Sequence, residues 1–373
     1  MNNLIGLNTL RKSLLITGLL LSVNSNAIDF EDAVFPELAT SARALAMGNA
    51  YISKADDSSA VYYNPAGLGT VRKTHFHISN FHFELNKGWM NNATGGNVSD
   101  IGSNALDSFD LNGHRKMLLD NRGSINHQRF HFLPNFTTRY FSAGYLLSKR
   151  TRSTIGQEPG AQFEYADRMD HGPYAALNVS LFGGVFKVGA SATYLNRKEV
   201  VGERDPNIEF AERPEDKTKG SAVIVVAGTK LTLPVAFLPT FSAKMNNALQ
   251  QKFKEDSVNG APTQILNSLD VGFSITPQIG KMIRVNLEAN YKDVTGKHKD
   301  VDTSRKLTFG AEFDIARKFF LRAGYGDGWG SGGIGIKSQH LEFDLTTYAV
   351  DATTKEFRGQ EDRRYVISGS YGF

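Results

Sequence analysis

The sequence predicts an all-β transmembrane fold, a 14-stranded antiparallel barrel with an N-terminal plug. Three observations predict it. The chain ends on an alternating strand, Tyr365, Ile367, Gly369, Tyr371 and Phe373, with Arg364, Val366, Ser368, Ser370 and Gly372 between them. A period of two with aromatics near both ends gives a strand one lipid face and one lumen face. The other end carries a leader: Arg11 and Lys12, the apolar run from Leu14 to Leu21, then Ser25-Asn26-Ala27. That is the pattern of a secretory signal peptide over residues 1–27, with cleavage expected after Ala27. No other window approaches the eighteen or so consecutive apolar residues that a transmembrane helix needs.

Composition agrees. The mean hydropathy of −0.30 is low for a membrane protein. Barrel strands, however, expose apolar side chains only at every second position, and long polar outer loops dilute the average. Phe (25) and Tyr (13) far outnumber Trp (2), which supplies interfacial aromatics. There is no cysteine, so disulfides, thiol nucleophiles and thiolate metal sites are excluded. The net charge is +4, about +2 without Arg11 and Lys12, too small to argue for nucleic acid.

The segment 28–73 does not alternate and is read as the plug. Residues 74–373 are read as the barrel. Its strands are expected at 75–85, 129–133, 136–148, 162–182, 186–194, 221–232, 236–244, 268–277, 283–294, 305–315, 318–326, 332–337, 339–349 and 365–373. Pro239 makes 236–244 a poor strand by itself. It is included because the short turns and long loops then segregate. Pro134-Asn135, Gly183-Gly184, 278–282, Ala316-Arg317 and Lys337-Ser338 fall on one rim. The long polar stretches 86–127, 150–160, 198–219, 245–267, 295–303, 327–331 and 350–361 fall on the other. Two outer segments have helical spacing: 246–255, with Ala248, Leu249 and Phe253, and 104–122, which is suited to folding over the barrel mouth.

Candidate chemistry is sparse. His75 and His77 share one strand face and His82 the other, which suits lumen-facing polar residues better than a metal pair lacking a third ligand. Asp56 and Asp57 are adjacent, point apart, and read as capping residues rather than a general acid and base. The glycine-rich 327–333 lacks the Lys of a phosphate loop and the spaced carboxylates of a calcium loop. Neither an enzyme nor a cofactor or metal site is expected. Trp89, Met90, Phe109, Leu118 and Leu119 form a candidate apolar site in the outer loops.

The most specific local pattern is Ser41-Ala42-Arg43-Ala44-Leu45-Ala46-Met47-Gly48-Asn49-Ala50, then Ala55-Asp56-Asp57-Ser58-Ser59-Ala60, then Asn64-Pro65-Ala66-Gly67. These three parts, at this spacing, resemble the N-terminal region of FadL-type hydrophobic-compound transporters and the related PorV/PorQ proteins. The resemblance implies a hatch over 28–73 that plugs the barrel from the periplasmic side, with Asn64 to Gly67 as a tight turn against the inner wall. Asp56 and Asp57 would cap or pair within it. It implies an outer membrane of a Gram-negative bacterium and passive diffusion of a hydrophobic, long-chain fatty acid-like molecule with lateral exit. The PorV branch implies instead a scaffold barrel for secreted or surface proteins. Expected partners are membrane lipids, lipopolysaccharide, the hydrophobic substrate, and the barrel-assembly machinery, which would read Tyr371 and Phe373. The mature start, Ile28 to Pro36, departs from the FadL pattern.

Overall fold

The computed structural model describes residues 38–72, 74–94, 110–209, 216–255, 259–299, 301–352 and 359–373. The leader and Phe109 lie outside them.

Fourteen strands form one closed antiparallel barrel. They are β1 His75–Asn86, β2 Ile125–Phe132 continued by Asn135–Thr137, β3 Phe141–Ile155, β4 Phe163–Leu181, β5 Phe186–Arg204, β6 Thr218–Thr232 and β7 Thr240–Asn246. The rest are β8 Ser268–Ile275 continued by Gln278–Ile279, β9 Ile283–Tyr291, β10 Leu307–Ile315, β11 Phe319–Gly326, β12 Trp329–Lys337, β13 Leu341–Asp351 and β14 Glu361–Gly372. Each strand pairs with its sequence neighbours, and β1 pairs with both β2 and β14, which closes the cylinder. At the seam Phe76 donates to the Phe373 carbonyl at 3.0 Å, and Phe373 donates back at 3.1 Å. The bridge Lys254–Glu255 extends the outer end of β6.

Alternation holds around the wall. Leu177, Val179 and Leu181 on β4, Leu307, Phe309 and Phe313 on β10, and Tyr365, Ile367 and Tyr371 on β14 are exposed on the outer face. The inner positions between them are buried and largely polar, as a two-faced transmembrane strand requires. Short turns and long loops occupy opposite rims. Strands β3, β5 and β6 run farther toward the long-loop rim than alternation alone indicated, so the loops there are shorter than expected.

Three local expectations are corrected. Pro134-Asn135 is not the turn between β2 and β3. Residues 135–137 continue β2 against β1 and β3, and the chain reverses at Thr138 to Tyr140. Proline has no N–H and interrupts the ladder without ending the strand. His82 does not face away from His75 and His77. The β1–β14 register passes from His77 opposite Gly372 to Ser79 opposite Tyr371, so Ile78 is an extra residue. One bulged residue inverts the parity beyond it, and all three histidines turn inward. The segment 246–255 is likewise not a helix; it turns at Asn247 and ends in the Lys254–Glu255 bridge.

Among the described residues five helices complete the fold: α1 Ala42–Ala46, α2 Ala60–Tyr63, α3 Lys87–Thr94, α4 Leu111–Asp120 and α5 Thr303–Lys306, with a 3₁₀ turn over Pro65–Thr70. Residues 39–71 are mostly buried and touch inward-facing side chains of β4 to β6 and β9 to β13, so they lie in the lumen. Glycines in the wall admit them. A Cβ on Gly324 would run into the Met47 and Gly48 backbone, and one on Gly189 into Pro65 and Ala66.

Candidate functional site

The candidate site is the interior of the barrel, built from the lumenal segment and the inward face of the wall. Arg43 on α1 is the hub of the segment. Its guanidinium donates to both Glu312 oxygens of β10 at 2.6 and 2.7 Å and to Asp56 Oδ1 at 2.7 Å. It also reaches Asp57 Oδ2 at 3.2 Å and lies 5.1 Å from the Tyr51 ring centroid. Tyr51 Oη donates to Asp57 at 2.7 Å, and Asp57 Oδ1 accepts from the Ser59 N–H at 2.9 Å. Burial by itself raises the Asp56 carboxyl. The Lys54 ammonium and the Arg43 guanidinium outweigh burial and hold it well below the usual carboxylate range.

Asn64 fixes the turn that follows. Its Oδ1 accepts from Ala66 N–H at 3.1 Å, while its Nδ2 donates to the Ile52 carbonyl at 2.9 Å and to Thr229 of β6 at 3.1 Å. Pro65 sits in the first turn of the 3₁₀ helix, where no N–H is needed. Ala66 and Gly67 are buried, and a Cβ on Gly67 would collide with the Ala55 carbonyl. Further bonds tie the segment to the wall. Ser331 Oγ donates to Ala46 and accepts from Gly48, Ser191 Oγ donates to Val61, and Thr346 Oγ1 donates to Ala42.

The interior is divided by chemistry. One sector, on β2 to β6, is apolar. Leu133, Leu146, Tyr174, Ala176, Leu195, Ala222 and Ile224 pack with Tyr62, Tyr63 and Leu68 of the segment and with Phe253 of the outer loop. A second apolar cluster sits toward the long-loop rim, where Leu111 and Leu118 of α4 meet Ile155, Phe163, Tyr165 and Val200. Between them Arg197 pairs with both Asp170 oxygens at 2.7 and 2.8 Å and covers the Phe253 ring at 4.9 Å. The remaining wall buries charged side chains that are paired, as in Arg322–Glu312 at 2.8 Å and Arg305–Asp327 at 2.7 Å. Buried charges persist only with such partners.

Below the apolar sector lies a polar cavity of about 100 Å³ between the segment and β1, β2 and β12 to β14. His75, His77, His82 and His131 line it, with Thr40, Arg43 and Ser370. The rings of His82 and His131 stack with centroids 4.1 Å apart. Stacked imidazoles present parallel lone pairs that cannot converge on one ion, and among the described residues no cluster of three or more ligating side chains is placed to hold a metal.

Of the five residues expected to form an outer apolar site, Phe109 lies outside the described residues and the other four do not form one cluster. Leu118 is fully buried in the outer cluster and Leu119 packs at its edge. Trp89 is buried on α3, which touches α4, whereas Met90 on the same helix is exposed. Tyr371 and Phe373 stand side by side on the outer face, ring centroids 5.5 Å apart. Sequence reasoning missed Arg43 and the apolar lumen sector. The sector has a signal: Ala222-Val223-Ile224-Val225-Val226 is apolar without alternation, so both faces of β6 are apolar.

No family model matches the sequence, and no curated protein does. Among solved structures, the chain is similar to the CymD monoaromatic hydrocarbon channel at a TM-score of 0.51 and 9% identity, covering 91% of this chain and 99% of that one. It is also similar to the toluene transporter TbuX of Ralstonia pickettii at a TM-score of 0.51 and 12% identity, covering 91% and 100%. At such identities the likeness is one of fold, and in its fold this chain is a closed barrel of the kind that CymD and TbuX share.

Proposed function

We propose that this protein is an outer-membrane channel through which hydrophobic small molecules, of the long-chain fatty acid or aromatic hydrocarbon class, diffuse passively. The observation that carries the reading is the apolar sector inside a cylinder whose outer face is also apolar. A water-filled pore would line that sector with polar groups. The two hydrocarbon channels of the same fold support it. In this reading the short-turn rim faces the periplasm and the long loops face outward.

Residues 38–71 act as the hatch. They leave a substrate in the apolar sector facing the polar histidine cavity below it, so the way out is sideways. The wall is most irregular where the Ile78 bulge of β1 lies beside the Leu133-Pro134 break of β2. Only Leu133 N–H to Asn80 O at 2.8 Å joins the two strands between the flanking pairs. Leu133 belongs to both the apolar sector and the cavity lining, which favours an exit beside it. Entry begins at the outer cluster around Leu118, with Trp89 and Leu119 at its margin. Tyr371 and Phe373 serve as the signal read by the assembly machinery.

The test is uptake. A strain lacking the protein is expected to incorporate labelled long-chain fatty acid or toluene more slowly than its parent. Equal rates for both classes of compound would overturn the assignment.

A further inference from the structure

The short-turn rim is chemically divided into two arcs. Three successive turns are apolar at their tips: β4–β5 carries Phe182, β6–β7 carries Val235, Phe237 and Leu238, and β8–β9 carries Ile279 and Met282. Phe182 is 80% exposed, Met282 65% and Phe237 59%. Two other turns are polar, β10–β11 with Ala316-Arg317-Lys318 and β12–β13 with Ser338-Gln339-His340, and β2–β3 is mixed, with Arg139 beside the exposed Tyr140. The three apolar turns are contiguous around the barrel, because strand order follows sequence order, and the remaining turns lie on either side of the β14–β1 seam, where Phe373 is exposed.

The apolar tips are also held in an unfavourable backbone. Phe182, Phe237 and Leu238 have φ of 51°, 65° and 47°. Bulky residues rarely occupy this region, which turns normally fill with Gly or Asn. Ala316 and Arg317 of the basic turn have the same backbone, at 54° and 58°, so the tight hairpins set the conformation and the side chains alone distinguish the arcs. The apolar tips are continuous with the outer belt, since Leu177, Val179 and Leu181 lead to Phe182, and Leu231 and Leu233 lead to Val235.

We propose that this arc binds the inner phospholipid leaflet: the barrel sits tilted, with the β4 to β9 turns immersed and the basic arc at Arg317 and Lys318 in the headgroup water. Continuity with the lipid-facing wall selects phospholipid as the occupant. The basic tips opposite fit the anionic headgroup zone, where aromatic and basic residues settle at different depths. The immersed arc overlaps the sector, β3 to β6, whose inner face is apolar. The inference rests on the reading that the barrel spans a bilayer with its short-turn rim toward the periplasm, and is independent of what it carries.

The absence of cysteine allows a direct test. Single variants Phe182→Cys, Phe237→Cys, Met282→Cys, Arg317→Cys and Gln339→Cys are labelled with an environment-sensitive fluorophore. They are reconstituted in nanodiscs of phosphatidylethanolamine and phosphatidylglycerol. The first three are expected to show blue-shifted emission, quenching by spin-labelled lipid and loss of quenching by iodide; the last two should show the reverse. Equal iodide quenching at all five sites would overturn the proposal, including the case in which the arc instead docks a periplasmic protein. Phe309→Cys, on the belt, is the control. Water quenching there would refute membrane spanning itself, whereas lipid quenching there with wet rim labels refutes only the tilt. Leu238→Cys and Ile279→Cys replace any rim variant that fails to assemble.

Discussion

Arg43 joins three carboxylates from two parts of the chain, so its removal leaves Glu312, Asp56 and Asp57 short of a counter-charge in a largely dry lumen. Breaking a buried pair from one side costs about 3–5 kcal/mol. Arg43→Ala is expected to destabilise by that order and to expose residues 38–71 to protease, while Arg43→Lys recovers only part because it lacks the bidentate fork. Limited proteolysis of the reconstituted barrel with a gel-shift unfolding curve checks both. The role of Arg43 was not legible from the sequence. A lone arginine among alanines looks like a solvated helix residue, and its partner Glu312 lies 269 positions away. Asn64 and Pro65 were more legible, because an Asx cap and a proline at a helix start act within three residues.

At the scale of elements, the irregular seam between β1 and β2 is where stiffening should act on function. Asn80→Cys with Leu133→Cys joins the two strands at their only bond within the irregular stretch. The oxidised pair is expected to cut uptake while leaving the folded gel shift unchanged, and reductant should restore it. Uptake unaffected by oxidation would place the exit elsewhere in the wall. Strand number and order were legible, including the weak β7, because outward apolar residues alternate and because short turns and long loops must segregate. The seam was not. Bulges shift parity by one residue, and no local composition marks Ile78 as the extra one. The 246–255 segment misled for a related reason: Phe253 is spaced as on an amphipathic helix, yet it is buried because Arg197 lies over its ring.

The interior concentrates its apolar side chains on β2 to β6, where buried charges such as Arg197 and Asp170 are already paired with one another. A charge added among those apolar side chains has no dedicated counter-charge. Ile224→Lys is expected to slow uptake of a hydrophobic compound at least about tenfold, since burying an unpaired charge costs several kcal/mol. The same substitution at the outward-facing Val223 should impair assembly in lipid instead. Comparing transport per folded molecule for the two variants separates the effects. The lumenal segment has one more consequence, for biogenesis. Its backbone is bolted to glycines and serines on walls far apart in sequence, from Gly189 to Ser331, with no clearance to slide past them. The segment cannot be threaded into a finished cylinder. Residues 38–71 are therefore expected to be seated before β1 and β14 zip together, as a mandrel around which the last strands wrap.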